Sequence, residues 1–336
     1  MQSKPVTRRQ FVSHSLVAVA GAGLLETVIR LASATAAPEA AAPTVPVPVT
    51  ANPIFLGGPA FVSAEDPEAC ALAHRKLGYS AAYCPDAALN DTSRIRAIVD
   101  AFKKHEVVLA EVGRWCNLLD PNEETRRKNL QTVTDGLALA EALGARCCVD
   151  IAGSFNREVW YGPHPDNLSQ KHFDAIVENA RKIIDAVKPT RTKFTYEIMG
   201  WALPDSPENY LKLIKAIDRP AFGVHLDPCN AVNSPDKIYH NTALLHECFD
   251  KLGPWIASCH AKDLAWEVEM NVHFREVLPG KGVMDYTTFL KRLSQLPSRP
   301  PLMVEHLSNA QEYAAARDFI LATGRKAGVK FTHQID

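Results

Sequence analysis

Four ionisable residues close four short apolar runs in the second half of the chain. Glu197 ends Phe194-Thr195-Tyr196-Glu197, Asp227 ends Phe222-Gly223-Val224-His225-Leu226-Asp227, His260 ends Trp255-Ile256-Ala257-Ser258-Cys259-His260, and Glu305 ends Pro301-Leu302-Met303-Val304-Glu305. Three carboxylates and one imidazole give oxygen-rich ligation with a single nitrogen. That donor set suits one divalent cation, Mn²⁺ first, with Mg²⁺ or Co²⁺ beside it. Four protein ligands leave positions for two substrate oxygens. A carbonyl and a neighbouring hydroxyl held there would acidify the C–H between them. One carboxylate, Glu197 or Glu305, takes that proton and the other returns one. Return on the opposite face is epimerisation, and return to the neighbouring carbon is aldose–ketose isomerisation. Expulsion of a β-substituent is elimination. A charged residue at one strand end is ordinary loop chemistry, but several carboxylates converging without a cation would repel.

These four residues need a scaffold that brings four strand ends to one rim. From residue 51 onward, short apolar runs alternate with helices of 3.6-residue period. The expected strands are Ile54–Leu56, Ala81–Cys84, Val107–Val112 and Cys147–Ile151, then the four runs named above. The expected helices cover Pro67–Leu77, Asp91 or Thr92 to Lys104, Glu123–Leu143, Ser169–Val187, Ser206 onward, Asn241–Leu252, Tyr286–Leu293 and Ala310–Leu321. Asp91, Ser169 and Ser206 are good N-caps, Pro207 suits a first helical position, and Gly78 and Gly144 suit helix ends. Eight such units between 51 and 330 predict an α/β protein of the closed (β/α)8 TIM barrel class, whose sites lie at the C-terminal ends of the strands. An open doubly wound sheet would carry a Gly-rich turn after its first strand, and Gly57-Gly58-Pro59 is not one.

Composition narrows the class of partner. The 336 residues include 37 Lys and Arg against 38 Asp and Glu, so no basic excess draws nucleic acid. Eight Cys in a chain of this length are not a disulfide scaffold. Residues 1–36 read as a twin-arginine export signal. Thr7-Arg8-Arg9-Gln10-Phe11-Val12 is followed by an apolar stretch from Leu16 to Leu25 and a small-residue cleavage region around Ala34-Thr35-Ala36. Removing it takes away Lys4, Arg8, Arg9, Arg30 and Glu26, leaving 33 basic against 37 acidic residues. Residues 37–50 read as a stiff Ala/Pro-rich linker. A periplasmic or secreted protein, free of the membrane once trimmed, is the expectation. Such an enzyme meets few sugar phosphates, which favours an unphosphorylated sugar or keto-sugar.

The chain resembles the sugar phosphate isomerase/epimerase family, the xylose-isomerase-like barrels. The resemblance rests on Tyr196-Glu197, Gly223-Val224-His225-Leu226-Asp227-Pro228, Cys259-His260-Ala261-Lys262-Asp263, Pro279-Gly280-Lys281-Gly282-Val283-Met284-Asp285-Tyr286 and Val304-Glu305-His306. It implies that Glu197, Asp227, His260 and Glu305 hold one metal and that the two Glu move the proton. It also marks two departures. The ketose 3-epimerases carry a substrate-binding His three residues after the metal Asp, where this chain has Asn230. They carry an Arg shortly before the late Pro-Gly, where Arg275 is only an approximate match. Asn230, Arg275, His225 and Trp115 are therefore the candidate substrate contacts.

Other readings stay open at this stage. A lyase cleaving a 3-keto-glycoside by β-elimination would use the same residues. A non-catalytic sugar-binding barrel would need no acid/base pair, so Glu197 and Glu305 argue against it. An abasic-site endonuclease wants several ligand His and a basic face. His246-Glu247 lacks the second His of a zinc-protease helix. Self-association into a homo-oligomer is possible, with no surface singled out for it.

Overall fold

The computed structural model describes residues 51–333. The signal and linker expected over 1–50 lie outside these residues. In chain order the elements are β1 (Leu56–Gly57), α1 (Pro67–Lys76), β2 (Ala81–Tyr83), α2 (Thr92–Lys104), β3 (Val108–Gly113), α3 (Glu123–Leu143), β4 (Cys147–Asp150) and α4 (Gln170–Val187). Then come β5 (Lys193–Glu197), α5 (Pro207–Ile217), β6 (Phe222–Leu226), α6 (Pro235–Tyr239), α7 (Asn241–Leu252) and β7 (Ile256–Ala261). The chain finishes with β8 (Asp263–Val268), β9 (Val272–Val277), α8 (Tyr286–Ser294), β10 (Leu302–Val304) and α9 (Ala310–Ala327). Strands β1 to β7 and β10 close into a parallel barrel in the order β1-β2-β3-β4-β5-β6-β7-β10.

The helices form where local chemistry starts and stops them. Asp91 accepts from the Arg94 N–H at 3.0 Å, and Asn122 accepts from Thr125 N. Ser169 and Ser206 accept from the N–H of His172 and Asn209. Gly144 takes φ +69° to end α3, a conformation without steric cost only for glycine. Inside the barrel, Ala81, Ala110 and Met303 fill the base as a small apolar plug. Gly57 makes this possible, because a Cβ there would lie 2.5 Å from Met303 Sδ and 2.6 Å from Ala81 O. The larger core lies between strands and helices and includes Phe194, Tyr196, Phe222 and Tyr210.

Several elements depart from the sequence expectation: β1 covers Leu56–Gly57 rather than Ile54–Leu56, and the short helix α6 over Pro235–Tyr239 was not expected. The segment after β7 is a two-stranded antiparallel hairpin, β8 with β9, pairing Asp263 with Val277 and Val268 with Val272. The last helix runs to Ala327 rather than ending at Leu321, because the Phe331 ring packs against Gly324 where any Cβ would collide. Among the described residues, no helix is long and apolar enough to cross a membrane.

Candidate active site

Glu197 is the last residue of β5, and Asp227 and Glu305 immediately follow β6 and β10, while His260 is the penultimate residue of β7. Neighbouring strands stagger them: Glu197 is in register with His225, and His260 with Met303, so Asp227 and Glu305 each stand two residues further along the chain toward the mouth. One ligand atom from each of Glu197, Asp227, His260 and Glu305 lies within 4.8 Å of all the others. His260 Nδ1 is 3.0 Å from Glu197 Oε1, 2.8 Å from Glu305 Oε1 and 3.9 Å from Asp227 Oδ2. His260 and Asp227 are fully buried, and Glu197 nearly so.

The charges in this cluster do not cancel. Lys262 brings its ammonium to 2.9 Å from Asp227 Oδ2 and 2.8 Å from Glu305 Oε1, and with His260, whose imidazolium burial disfavours but the surrounding carboxylates favour more strongly, it faces three carboxylates. Neither Asp227 Oδ2 nor Glu305 Oε1 has a well-directed hydrogen bond, although both are buried. The other oxygen of Asp227 is committed, accepting from Cys229 N at 2.9 Å and Asn230 N at 3.1 Å. Burial pushes the Asp227 carboxyl up to about 6, Lys262 pulling it down and the Glu197 charge pushing it further up. Burial also disfavours charge on Glu197 and Glu305, but His260 and Lys262 hold both below the usual carboxylate range. Underused oxygens, excess negative charge and a donor set of three carboxylates with one imidazole all fit a divalent cation.

Beneath the cluster lies a further buried carboxylate, Glu111 of β3. Its Oε2 is 3.2 Å from His260 Nε2 and 3.2 Å from His225 Nε2, and its Oε1 accepts from Ser258 Oγ at 2.6 Å. Burial raises the Glu111 carboxyl, and the imidazoles of His225 and His260 outweigh it, so the group stays ionised. An imidazole flanked this way has its far nitrogen fixed as the donor and its near nitrogen turned to the cluster. Glu111 was not among the residues singled out from the sequence. The available signal was a lone Glu inside the apolar run Val107–Val112, on the face that alternation sends inward.

Above the cluster opens a cavity of about 790 Å³, lined among others by Trp115, Glu197, Asn230, Lys262 and Glu305. Trp115 stands with its ring centroid 6.5 Å from that of His260. Asn230 donates to Glu197 Oε1 at 3.0 Å, and its Oδ1 accepts from Lys262 at 3.3 Å. His225 is fully buried and faces Glu111 below the cavity, without lining it. Arg275 lies on β9, 3.8 Å from Glu267, and lines a smaller neighbouring cavity of about 490 Å³ together with Lys281. The late loop is anchored by Asp263, whose carboxylate accepts from the N–H groups of Leu264, Gly280, Gly282 and Met284. The four metal candidates, Asn230 and Trp115 thus meet at one mouth, whereas His225 and Arg275 sit below and beside it.

A family model described as a xylose isomerase-like TIM barrel matches residues 72–323. The L-ribulose-5-phosphate 3-epimerase UlaE of Escherichia coli is 23% identical over 242 residues, which are 70% of this chain and 78% of that protein. Among solved structures, the 3-keto-D-glucoside 4-epimerase YcjR of E. coli superposes with a TM-score of 0.58 at 14% identity, covering 80% of this chain and 99% of that one. A xylose isomerase-like TIM barrel protein from Mycobacterium smegmatis, in complex with magnesium, gives 0.58 at 17% identity, covering 82% and 97%.

Proposed function

The chain belongs to the xylose isomerase-like TIM barrel family, and on that premise we propose that it is a divalent-metal-dependent isomerase or epimerase that moves the proton beside a carbonyl of an unphosphorylated sugar or keto-sugar. A sugar isomerase or epimerase is the kind of enzyme its relatives and fold neighbours point to. The observation that carries the reading is the convergence of Glu197, Asp227, His260 and Glu305 within 4.8 Å at the mouth of the barrel.

These four residues would hold one cation, which when bound polarises a substrate carbonyl and lowers the pKa of the adjacent C–H. Manganese is our first choice, and magnesium or cobalt suits the same oxygen donors. Glu197 and Glu305 come from β5 and β10, which flank β6 and β7 in the barrel order. A sugar lying over Asp227 and His260 therefore presents one side to each Glu. Glu197, steadied by Asn230 Nδ2, serves as one base at its carboxylate, and Glu305, the more accessible of the two, serves as the other. Asn230 and Trp115 contact the sugar, Asn230 from the position where ketose 3-epimerases have a His. Every cation lining the main cavity is engaged: Arg114 with Asp86 at 2.8 Å, His306 with Glu276 at 2.9 Å, and Lys262 with Asp227 and Glu305. This supports an uncharged sugar over a phosphate ester. The expected export of the chain by the twin-arginine route to the periplasm or beyond supports it too. Elimination from the same deprotonated intermediate is the second reading, favoured by a cavity roomy enough for a leaving aglycone.

Glu197→Gln and Glu305→Gln keep size and a coordinating oxygen but remove the base. Each is expected to lower turnover by at least about 10²-fold, the scale of a positioned general base. With keto-sugars in deuterium oxide, a two-base epimerase leaves one of the two variants exchanging the substrate's α-proton without forming product. An eliminase loses both exchange and product when its abstracting base is removed. Near-normal turnover in both variants sinks proton transfer by these residues. Export is checked separately: Arg8→Lys with Arg9→Lys is expected to strand an untrimmed protein in the cytoplasm, and normal trimming of that variant would contradict the route.

A further inference from the structure

We propose that Trp160, Tyr161 and Trp201 form a second subsite that holds an apolar aglycone, so that the substrate is a glycoside rather than a free monosaccharide or a sugar phosphate. The inference rests on the reading of the metal cluster as a sugar enzyme's site, and it concerns the part of the cavity away from that cluster. Three large aromatic side chains stand between 38% and 48% exposed there and line the same cavity. Aromatic surface gathered in one cavity is characteristic of a binding site.

The loops bearing these rings are held in place before any ligand arrives. Trp160 and Tyr161 follow β4, and Trp201 follows β5. Trp201 Nε1 donates to Tyr161 O at 2.7 Å, tying the two loops together and leaving the indole with only its carbon faces to offer. Trp160 and Tyr161 meet edge to face, with centroids 5.2 Å apart. The first loop is pinned from beneath by the fully buried Asn167, which donates to Ser154 Oγ and Gly162 O and accepts from Phe155 N at 3.0 Å. Ser154 Oγ donates to Gly162 O at 2.6 Å, and Leu203 N of the second loop donates to Asn167 O at 3.1 Å. A wall organised in advance forfeits little conformational freedom when it binds.

The chemistry of the wall selects the occupant. A second sugar ring would need free donors and acceptors, and a phosphate would need a free cation. The Trp201 indole N–H and the Tyr161 carbonyl are already paired, and the cations that line this cavity are all engaged with carboxylates. What remains is mostly aromatic carbon surface suited to a flat, uncharged group by stacking, with the Trp160 indole N–H and the Tyr161 hydroxyl as the polar edges of the wall. The cavity, about 790 Å³, lies in the upper part of the usual ligand-pocket range of about 300–1,000 Å³. A monosaccharide over Trp115 and the metal cluster would leave much of it unfilled.

The test uses isothermal titration calorimetry on the metal-loaded mature protein. The probes are the 4-nitrophenyl and methyl β-glycosides of glucose, galactose and xylose, with glucose 6-phosphate as the charged comparison. For at least one sugar the aryl glycoside is expected to bind about tenfold or more tightly than its methyl counterpart, a difference of 1.4 kcal/mol. Trp160→Ala combined with Trp201→Ala is expected to shrink that preference to within about twofold at unchanged metal content. If no aryl glycoside outbinds its methyl partner, or if the preference survives the double substitution, the subsite is wrong. Tighter binding of glucose 6-phosphate than of every aryl glycoside also overturns it, and would direct attention to Arg275 and Lys281. Metal content and deuterium exchange are read on the same preparation. They report on the catalytic cluster independently, so loss of the aglycone subsite is distinguishable from loss of the sugar-enzyme reading.

Discussion

The two ends of β5 treat a carboxylate in opposite ways. At the start of the strand, Glu141 of α3 gathers four donors: Thr190 N and Oγ1 on one oxygen, and Arg191 N and Thr192 N on the other. Every acceptor there has a partner supplied by the loop that leads into β5. At the end of the same strand, Glu197 sits within a few ångströms of Asp227 and Glu305, two of whose oxygens lack directed hydrogen bonds despite burial. Burying a charge without full compensation costs several kcal/mol. A chain that satisfies one carboxylate so completely at the start of the strand has the means to satisfy Asp227 and Glu305 at its end. That it leaves them short points to a partner from outside the polypeptide. Asp263 sharpens the contrast, because it lies close to the same mouth and takes four backbone N–H groups. Position at the rim is therefore not enough; the state of satisfaction separates a loop anchor from a ligand.

The largest effect should come from the underused oxygens. Asp227→Ala or His260→Ala is expected to take the purified mature protein from about one divalent metal per chain to near none, measured by elemental analysis. Asp263→Ala, an equally buried carboxylate, is expected to loosen the late loop while leaving metal binding in place. Full occupancy in both of the first two variants would break the comparison, since the cluster would then be as structural as Glu141. A smaller effect is expected from Glu111→Gln. That change keeps the shape of the group behind His260 Nε2 but removes its charge, and partners in this position are typically worth about 10–100-fold in metal affinity. Titration against a chelator-buffered series of Mn²⁺ reads the difference. An unchanged dissociation constant would mean that Glu111, His225 and Ser258 merely fill the barrel.

Much of this contrast was legible in the sequence, because it is carried by local signals. The caps at Asp91, Ser169 and Ser206 and the stop at Gly144 are short-range chemistry, and the observed helices begin and end at them. The four cluster residues were readable because each closes an apolar strand and strand ends share a rim. The β8–β9 hairpin was not foreseen. Leu264 is buried at its base and Trp266 and Phe274 pack against the core, but its tip has no buried face to serve, and Val268 and Met270 there are almost fully exposed. Glu111 escaped because its meaning lies in partners 114 and 149 residues away, His225 and His260, which no spacing in the chain announces. Asp263 and Lys262 were noticed only as neighbours of His260. The turn from β7 into β8 sends them apart, Asp263 to the late loop and Lys262 to the cluster. Arg275 was placed by motif spacing alone, and the hairpin carries it to the neighbouring cavity.

The smallest expected effect tests the satisfied end. Glu141→Gln replaces one accepting oxygen by an NH₂ group, so two of the four donors around it face another donor. Thr192, one of the donors, is almost fully buried, and an unsatisfied buried N–H costs about 1–3 kcal/mol. The variant should therefore melt lower while keeping its metal content and turnover, the reverse of what the cluster variants do. The pH dependence gives a sharper signature. Partial burial pushes the Glu141 carboxyl up, but the Arg191, Thr190 and Thr192 donors outweigh it and hold the group at about 2, below its ordinary 4.5. A carboxyl with a depressed folded-state pKa contributes its stability above the unfolded value and loses it as the pH falls through the folded one. The stability gap between the natural protein and Glu141→Gln should thus be full above pH 4.5 and narrow as the pH drops toward 2. Urea midpoints taken at pH 7 and at steps through that window measure it. A gap that stays constant through the window would show that the carboxylate's charge is not what the donors around Glu141 recognise, and that the completeness of its hydrogen bonding is the wrong measure by which to set it apart from Glu197.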